Sequence, residues 1–248
     1  MTVRWRQCLL HWCGGLAVAV LAASVAQAQT RPRAVVELFT SQGCSACPPA
    51  DRLLGELARD PAVIALSLPV DYWDYLGWKD TLADARFTAR QKAYARMRRD
   101  RELYTPQMIV NGVAHVSGND RGAIERAMET TRTAAEVMSV PVAVRRVDSH
   151  LNVSVPAAAG QGEVWICAVS RAIPIAIGRG ENGGREVIYT NVVRNALKVG
   201  DWAGAAESWN VPLENIAHDG VDAAVVYVQR GNRERPGVML GAAYTPLR

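Results

Sequence analysis

The sequence has little net charge and few residues of the types that commonly bind metals. Its 28 Lys and Arg residues outnumber its 24 Asp and Glu residues by only four, and it contains four His and five Cys. A chain this close to neutral, with no aromatic residues interleaved among its basic ones, does not resemble a nucleic-acid groove. We therefore expect no nucleic acid among its partners.

A second Cys-x-x-Cys pair and a His-x-x-x-His pair are both missing. Zinc prefers four ligands, and His115, His150 and His218 are scattered and solitary. The glycine-rich stretch "GRGENGG" (178–184) lacks the Gly-Lys-Ser or Gly-Lys-Thr of a phosphate loop and predicts a hairpin loop instead. The sequence thus predicts neither a metal site nor a cofactor. A copper(I) site on two thiolates is kept as an alternative, because that ion accepts few ligands.

Long apolar runs are missing beyond the N-terminus. There, Arg4 and Arg6 precede the apolar stretch "GLAVAVLAASVA", and residues 26–28 form the small-x-small pattern that a signal peptidase cleaves. The apolar stretch is shorter than the roughly 20 residues that span a bilayer. We predict a signal peptide over residues 1–28, a periplasmic or secreted protein, and no stable membrane insertion after cleavage; an uncleaved anchor is the alternative.

Cysteine is scarce once the predicted leader is removed. Cleavage takes away Cys8 and Cys13, and leaves Cys44, Cys47 and Cys167. An odd number in an exported chain predicts one pair and one leftover thiol. Cys167 alternates with apolar residues in "EVWICAVS", which indicates a buried and inert thiol, since free cysteine behaves as a small hydrophobic residue.

Composition changes near residue 135. Before it, short apolar runs alternate with segments of helical period; after it, β-branched runs, Gly and Pro dominate. No internal repeat is visible. We predict an α/β domain over residues 29–135, followed by a β-rich, sandwich-like domain over residues 136–248.

The first of these domains has a definite order of predicted elements. "AVVELFT" (34–40) and "AVIALSLPVDYW" (62–73) are typical of buried strands, and Pro48-Pro49 can open the helix between them. A second helix, a hairpin around Asn111-Gly112 and a helix capped by Asn119 or Asp120 follow. The order is β-α-β-α-β-β-α, and the Cys44–Cys47 pair stands between the first strand and the first helix.

A cysteine at the start of a helix is suited to thiol chemistry. Free backbone N–H groups and the positive end of the helix dipole favour the thiolate and lower its pKa. Cys44 is the better-placed nucleophile, and Cys47, one turn further on, can resolve a mixed disulfide. The alternative is a structural disulfide, although so small a loop stabilises the fold little.

The chain resembles the thioredoxin-like superfamily through strand, Cys-x-x-Cys, helix, and a late Thr105-Pro106 before a hairpin strand. "VVELFTSQGCSACPPAD", "VDYWDYLGWKD" and "YTPQMIVNG" look more narrowly like a bacterial family of exported thioredoxin-like proteins of uncharacterised function. The resemblance implies that Pro106 is cis and lies against the cysteine pair, where the backbone of Thr105 pairs with an incoming peptide. A trans proline that starts an edge strand is the alternative.

Glu37 and a cluster of aromatic residues are further candidates for the site. The carboxylate of Glu37, in the apolar run of the first strand, can exchange the proton of Cys47, although the buried acid of thioredoxins is one residue out of register with it. The alternative is an edge-facing Glu37 that pairs with a surface arginine. Tyr72, Trp73 and Trp78 follow the second strand and either line a substrate groove or pack in the core.

Taken together, these residues predict a protein that performs thiol–disulfide exchange on a protein or a small thiol or disulfide, together with an unknown redox partner. Ser45-Ala46, between the cysteines, matches neither the Gly-Pro of thioredoxin nor the Pro-His of a strong periplasmic oxidant, so the direction of exchange is left open. The main alternative is an exported binding module with a permanent disulfide.

Overall fold

A computed structural model describes residues 31–99 and 101–247 of the chain. The helices are α1 (Pro48–Leu57), α2 (Ala85–Arg98) and α3 (Arg121–Arg132). The strands are β1 (Ala34–Thr40), β2 (Val63–Pro69), β3 (Gln107–Val110), β4 (Ala114–Ser117), β5 (Ala143–Val147), β6 (His150–Val155), β7 (Gly162–Ala176), β8 (Glu186–Trp202), β9 (Glu207–Pro212), β10 (Ala223–Asn232) and β11 (Arg235–Pro246). The predicted signal peptide, residues 1–28, lies outside the described residues and stays a prediction.

The elements up to α3 follow the predicted order, and local chemistry explains where they begin. Pro48 opens α1, where a missing N–H breaks no helical hydrogen bond. The side chains of Asp84 and Asp120 accept backbone N–H groups at the starts of α2 and α3. Asn111 and Gly112 both have positive φ angles, of 52° and 74°, and form a tight turn in the hairpin loop of three residues, 111–113, that joins β3 to β4, one residue longer than the sequence predicted.

One sheet of eight strands runs through both predicted domains. Its strand order is β11-β10-β7-β8-β2-β1-β3-β4, with β1 parallel to β2 and antiparallel to β3. The long strand β8 meets β2 through a single parallel bridge, between Ser67 and Val192. An open edge of β2 would expose unpaired backbone groups, and β8 covers part of that edge.

A second sheet, of order β5-β6-β9, is antiparallel throughout. Its buried residues Val144, Leu151 and Val153 belong to the same apolar cluster as Val225 of β10 and Phe39 of β1. The chain is therefore a mixed α/β protein dominated by strands. Its β-rich part differs from the predicted separate sandwich, because four of its strands extend the first sheet and share its core.

The two faces of β1 contact different helices because side chains alternate along a strand. Leu38 belongs to a cluster with Leu54 of α1 and Ile124 of α3. Phe39 faces the opposite side, where its ring meets that of Tyr94 of α2 edge-on, with centroids 6.3 Å apart. Even-numbered residues of β1 thus face α1, and odd-numbered residues face α2.

No helix within residues 31–99 or 101–247 has the length and apolar character needed to cross a membrane.

Candidate functional site

Cys44 and Cys47 form a disulfide at the N-terminus of α1. Their Cα atoms lie 5.4 Å apart. Cys47 is the N-cap residue of the helix, and its carbonyl accepts the N–H groups of Ala50 and Asp51. The pair is therefore placed between β1 and α1, as predicted, where the helix dipole favours a thiolate.

The disulfide is covered by its surroundings. Cys44 is 2% exposed and Cys47 is fully buried, whereas Ser45 and Ala46 between them are exposed. An attacking thiolate must reach a sulfur atom directly to exchange with it. Exchange at this site therefore depends on what covers Cys44.

The structure places the predicted positioning residues beside the first turns of α1. The Thr105–Pro106 peptide bond is cis. The indole N–H of Trp73 donates to the hydroxyl of Thr105 at 2.8 Å. A Cβ atom on Gly118 would lie 3.0 Å from Cβ of Pro106 and 3.1 Å from Cβ of Ala50, so this glycine lies where the proline loop meets α1.

The three predicted groove residues are half-buried and have different neighbours. Tyr72 and Trp73 pack against the large core, with ring centroids 6.3 Å apart, and burial raises the pKa of Tyr72. Trp73 also lies against Gly43, where an added Cβ atom would approach its Cβ to 3.0 Å. Trp78 packs instead on a small cluster that includes Ile177. Both tryptophans are thus next to the disulfide loop, and both are also packing residues.

Gln42, two residues before Cys44, is held by several hydrogen bonds. Its backbone N–H donates to the carboxylate of Asp80 at 2.8 Å, and its side-chain oxygen accepts the indole N–H of Trp78 at 2.8 Å. Asp80 is 3% exposed, and burial raises its pKa. The segment that leads into Cys44 is therefore fixed from the side of residues 78–80.

Asn182, from the loop between β7 and β8, holds the same segment from the other side. It is 1% exposed, and its amide donates to the carbonyl of Gln42 at 2.9 Å and to that of Cys44 at 2.8 Å. Sequence reasoning missed this residue. A polar asparagine in a glycine-rich hairpin loop carries no signal that it will contact a site about 140 residues earlier.

Asp51 is a buried acid beside the pair that sequence reasoning also missed. It is 2% exposed and follows Cys47 by four residues, a spacing that puts both side chains on one face of α1. One carboxyl oxygen accepts the Thr40 hydroxyl at 2.8 Å, and no described group donates to the other. Burial raises the pKa of Asp51 to about 8, so this acid can hold a proton near neutral pH. The spacing of four residues after Cys47 is the sequence feature that could have identified Asp51 as a site residue.

Glu37 lies on the other face of β1. Its carboxylate accepts two N–H groups of Arg90, at 2.7 and 3.1 Å, and the hydroxyl of Tyr94 at 2.6 Å. This is the ion pair with an arginine that the sequence left as the alternative, although it is buried. Glu37 is one residue out of register with the buried acid of thioredoxins. Because side chains alternate along a strand, this shift points the Glu37 side chain toward α2 and away from α1.

Cys167 is a buried free thiol. It lines a cavity of about 50 Å³ together with Glu37, Arg90 and Tyr227, and burial raises its pKa to about 12. A thiol of this kind carries almost no thiolate at neutral pH and is inert. Its position on the α2 side of the sheet agrees with the predicted buried thiol.

Within residues 31–99 and 101–247, no group of three or more His, Cys, Asp or Glu side chains is arranged to hold a metal ion.

Two solved structures resemble the chain. A crystal structure of a protein from Agrobacterium tumefaciens matches with a TM-score of 0.79 and 32% identity, over 88% of this chain and 95% of that one. HBP35 of Porphyromonas gingivalis matches with a TM-score of 0.54 and 13% identity, over 88% of this chain and 76% of that one, a likeness of fold alone.

No curated protein gives a significant match to this chain. Residues 35–229 match the family described as "Protein of unknown function (DUF1223)", and this stretch includes the Cys44–Cys47 pair, Asp51, the Thr105–Pro106 bond and Asn182. The chain therefore belongs to the DUF1223 family.

Proposed function

We propose that the chain is an exported thiol–disulfide exchange protein whose residues 29–135 adopt a thioredoxin-like arrangement. Cys44 is the nucleophile and Cys47 is the resolving thiol. The observation that carries this proposal is the Cys44–Cys47 disulfide at the N-terminus of α1, beside the cis Thr105–Pro106 bond. The β-α-β-α-β-β-α order of the elements supports the fold assignment. The protein acts in the periplasm or after secretion, on a protein or small-molecule disulfide or thiol, with a separate redox partner.

Exchange proceeds in two steps when the protein acts as a reductant. The Cys44 thiolate attacks a substrate disulfide, which forms a mixed disulfide and releases one substrate thiolate that takes up a proton. Cys47 then loses its proton and attacks Cys44, which forms the internal disulfide and releases the second substrate thiolate. Asp51, on the face of α1 that carries Cys47, can accept that proton and return it when the reaction runs backward.

A binding module with a permanent disulfide is the second candidate function. The observation that favours it is the burial of both cysteines, since Cys44 is only 2% exposed. In that case the aromatic segment around Trp73 or the β-rich part holds the partner. In the copper(I) alternative, Cys44 and Cys47 would bind the ion as a pair of thiolates once they are reduced.

The midpoint potential of the pair separates these functions. The mature protein is equilibrated in glutathione or dithiothreitol buffers, and its alkylated thiols are counted by mass. A potential of roughly −270 to −120 mV with reversible exchange supports an oxidoreductase. A pair that stays oxidised well below about −300 mV marks a structural disulfide and favours the binding module. Copper(I) that protects the reduced pair from alkylation supports the metal carrier.

A further inference from the structure

Residues 177–185, between β7 and β8, form a loop that is hydrogen-bonded to the segment carrying Cys44 and is named here the cover loop. The side-chain amide of Asn182 donates hydrogen bonds to the Cys44 carbonyl at 2.8 Å and to the Gln42 carbonyl at 2.9 Å. Among the hydrogen bonds of the described residues, no other side chain of the loop donates to this segment. Both N–H groups of one amide are used in this way. The residue is 1% exposed, so these bonds are shielded from water.

The cover loop has its own internal structure. The N–H of Gly183 donates to the Gly180 carbonyl at 3.0 Å, and that of Gly184 donates to the Ile177 carbonyl at 2.8 Å. The ring of Trp78 packs against the loop, since a Cβ atom added on Gly178 would lie 3.0 Å from that ring. The loop is therefore a small packed unit, and Asn182 is its attachment to the segment that carries Cys44.

We propose that Asn182 is a specificity-determining residue, because it fastens the cover loop over Cys44 and makes exchange with free small thiols slow. The inference rests on the proposed exchange function and goes beyond it. Cys44 is 2% exposed with the loop in place. In this proposal, a thiol such as glutathione reaches its sulfur only when the loop lifts. A redox partner that displaces the loop gains access that the free thiol lacks.

The reaction that reports on the loop is reduction of the disulfide by dithiothreitol. A dithiothreitol thiolate attacks Cys44, forms a mixed disulfide and displaces Cys47 as a thiolate, which takes up a proton. The second thiol of the reagent loses its proton and attacks the reagent sulfur of the mixed disulfide, which releases Cys44 as a thiolate that takes up a proton. The reagent leaves as a cyclic disulfide, and two electrons have passed to the protein, which now holds two thiols.

The test compares the rates at which dithiothreitol and glutathione reduce the wild-type protein and the Asn182→Ala and Asn182→Asp variants. The Asp variant keeps the shape of the side chain but has no N–H to donate, and the two carbonyl oxygens repel its carboxylate, so it should free the loop at least as much as the Ala variant. Urea unfolding of each variant checks that it is folded before its rate is compared. Loss of both hydrogen bonds should make loop opening, and with it the reduction rate, at least about tenfold faster.

Two controls separate loop opening from general loss of stability. Asn152→Ala removes the amide hydrogen bond to Asn210 in the second sheet, and Val211→Ala destabilises that sheet by removing buried apolar atoms. Both controls should leave the reduction rate within about twofold of the wild-type rate. Equal rates in the wild type and both Asn182 variants would overturn the proposal, and so would an equal increase in Val211→Ala.

Failure of this inference and failure of the proposed function give different results. A midpoint potential well below about −300 mV rejects the exchange function, whatever the rates are. Unchanged rates in the Asn182 variants reject the role of the cover loop, even when the potential falls in the range of exchange proteins.

Discussion

Two acids near the first strand differ in role because their side chains lie on different faces of the sheet. Glu37 is 2% exposed, points toward α2 and pairs with Arg90, whose side chain is 15% exposed. Asp51 reaches the disulfide region from α1 and has one carboxyl oxygen without a described donor. Glu37 is paired with an arginine, whereas burial dominates at Asp51 and raises its pKa to about 8, so that it can keep its proton.

Replacement of Glu37 by Gln should destabilise the protein without changing the chemistry of the cysteines. The variant leaves the Arg90 guanidinium buried without a counter-charge, which costs about 3–5 kcal/mol in the free energy of unfolding. The measurement is urea unfolding of the oxidised protein. Glu129→Gln, in an exposed pair with Arg132, is the matched control and should cost less than about 1 kcal/mol. A large change in midpoint potential in Glu37→Gln would instead restore the proton-relay role.

Replacement of Asp51 by Asn should change how stability depends on pH. Burial raises the pKa of the folded-state carboxyl from 3.8 to about 8, so between these values the folded protein holds a proton that the unfolded chain has lost. The free energy of unfolding of the wild type therefore falls as pH rises through this window, by up to about 1.4 kcal/mol per pH unit. Asn does not titrate, so its variant lacks this contribution.

The measurement is urea unfolding of oxidised wild type and Asp51→Asn between about pH 5 and pH 8. The stability of the variant relative to the wild type should increase toward the alkaline end. Parallel pH profiles for the two proteins would mean that Asp51 is ionised in the folded state throughout this range.

At the scale of elements, α1 is positioned by the strand from the second half of the chain. Gly55, in the middle of α1, faces Thr190 of β8, and an added Cβ atom would come within 3.0 Å of the threonine hydroxyl. A glycine inside a helix lowers helix stability, but here it lets β8 approach closely. The helix capped by Cys47 is thus packed closely against β8 of the eight-stranded sheet.

The effect of Gly55→Ala on stability should depend on the residue at position 190. In the wild-type background the gain in helix propensity, about 1 kcal/mol, is offset by the close contact with Thr190. In a Thr190→Ala background, which removes that contact, the same change should stabilise by about 0.5–1 kcal/mol. A double-mutant cycle of denaturant unfolding measures the coupling. Equal effects in both backgrounds would show that the contact relaxes without cost.

At the scale of the whole molecule, the eight-stranded sheet and the core cross the predicted boundary at residue 135. β8 pairs with β2, and the large apolar cluster contains residues of both halves, such as Phe39 and Val225. Asn182 adds a polar contact between the second half and the disulfide segment. The two halves are therefore joined by hydrogen bonds, apolar burial and the candidate site.

A fragment of residues 29–135 should fail to form a stable domain alone. It would expose the edge of β2 and the apolar side chains that face the second half, which favours aggregation or a loosely packed state. The measurement is a denaturant unfolding curve followed by circular dichroism, with residues 29–248 as control. A cooperative transition in the fragment would show that the first half is an independent domain.

Local sequence patterns were enough to predict the elements up to α3 and the position of the Cys44–Cys47 pair. Those features follow from local rules: the alternation of apolar runs, prolines at a helix start, and the Asn111-Gly112 turn. The resemblance of the sequence to thioredoxin-like proteins also predicted that Thr105 and Pro106 belong to the candidate site.

Contacts at the site between groups far apart in the sequence could not be predicted without the fold. The contact of Asn182 with Cys44, the joining of β8 to β2 and the pairing of Glu37 with Arg90 depend on strand pairing across long separations, which no local pattern encodes. The side of a strand on which an acid lies changes with a shift of one residue, so Glu37 could not be assigned from sequence alone. Local rules set the elements, and packing between elements far apart in the chain set the chemistry around the disulfide.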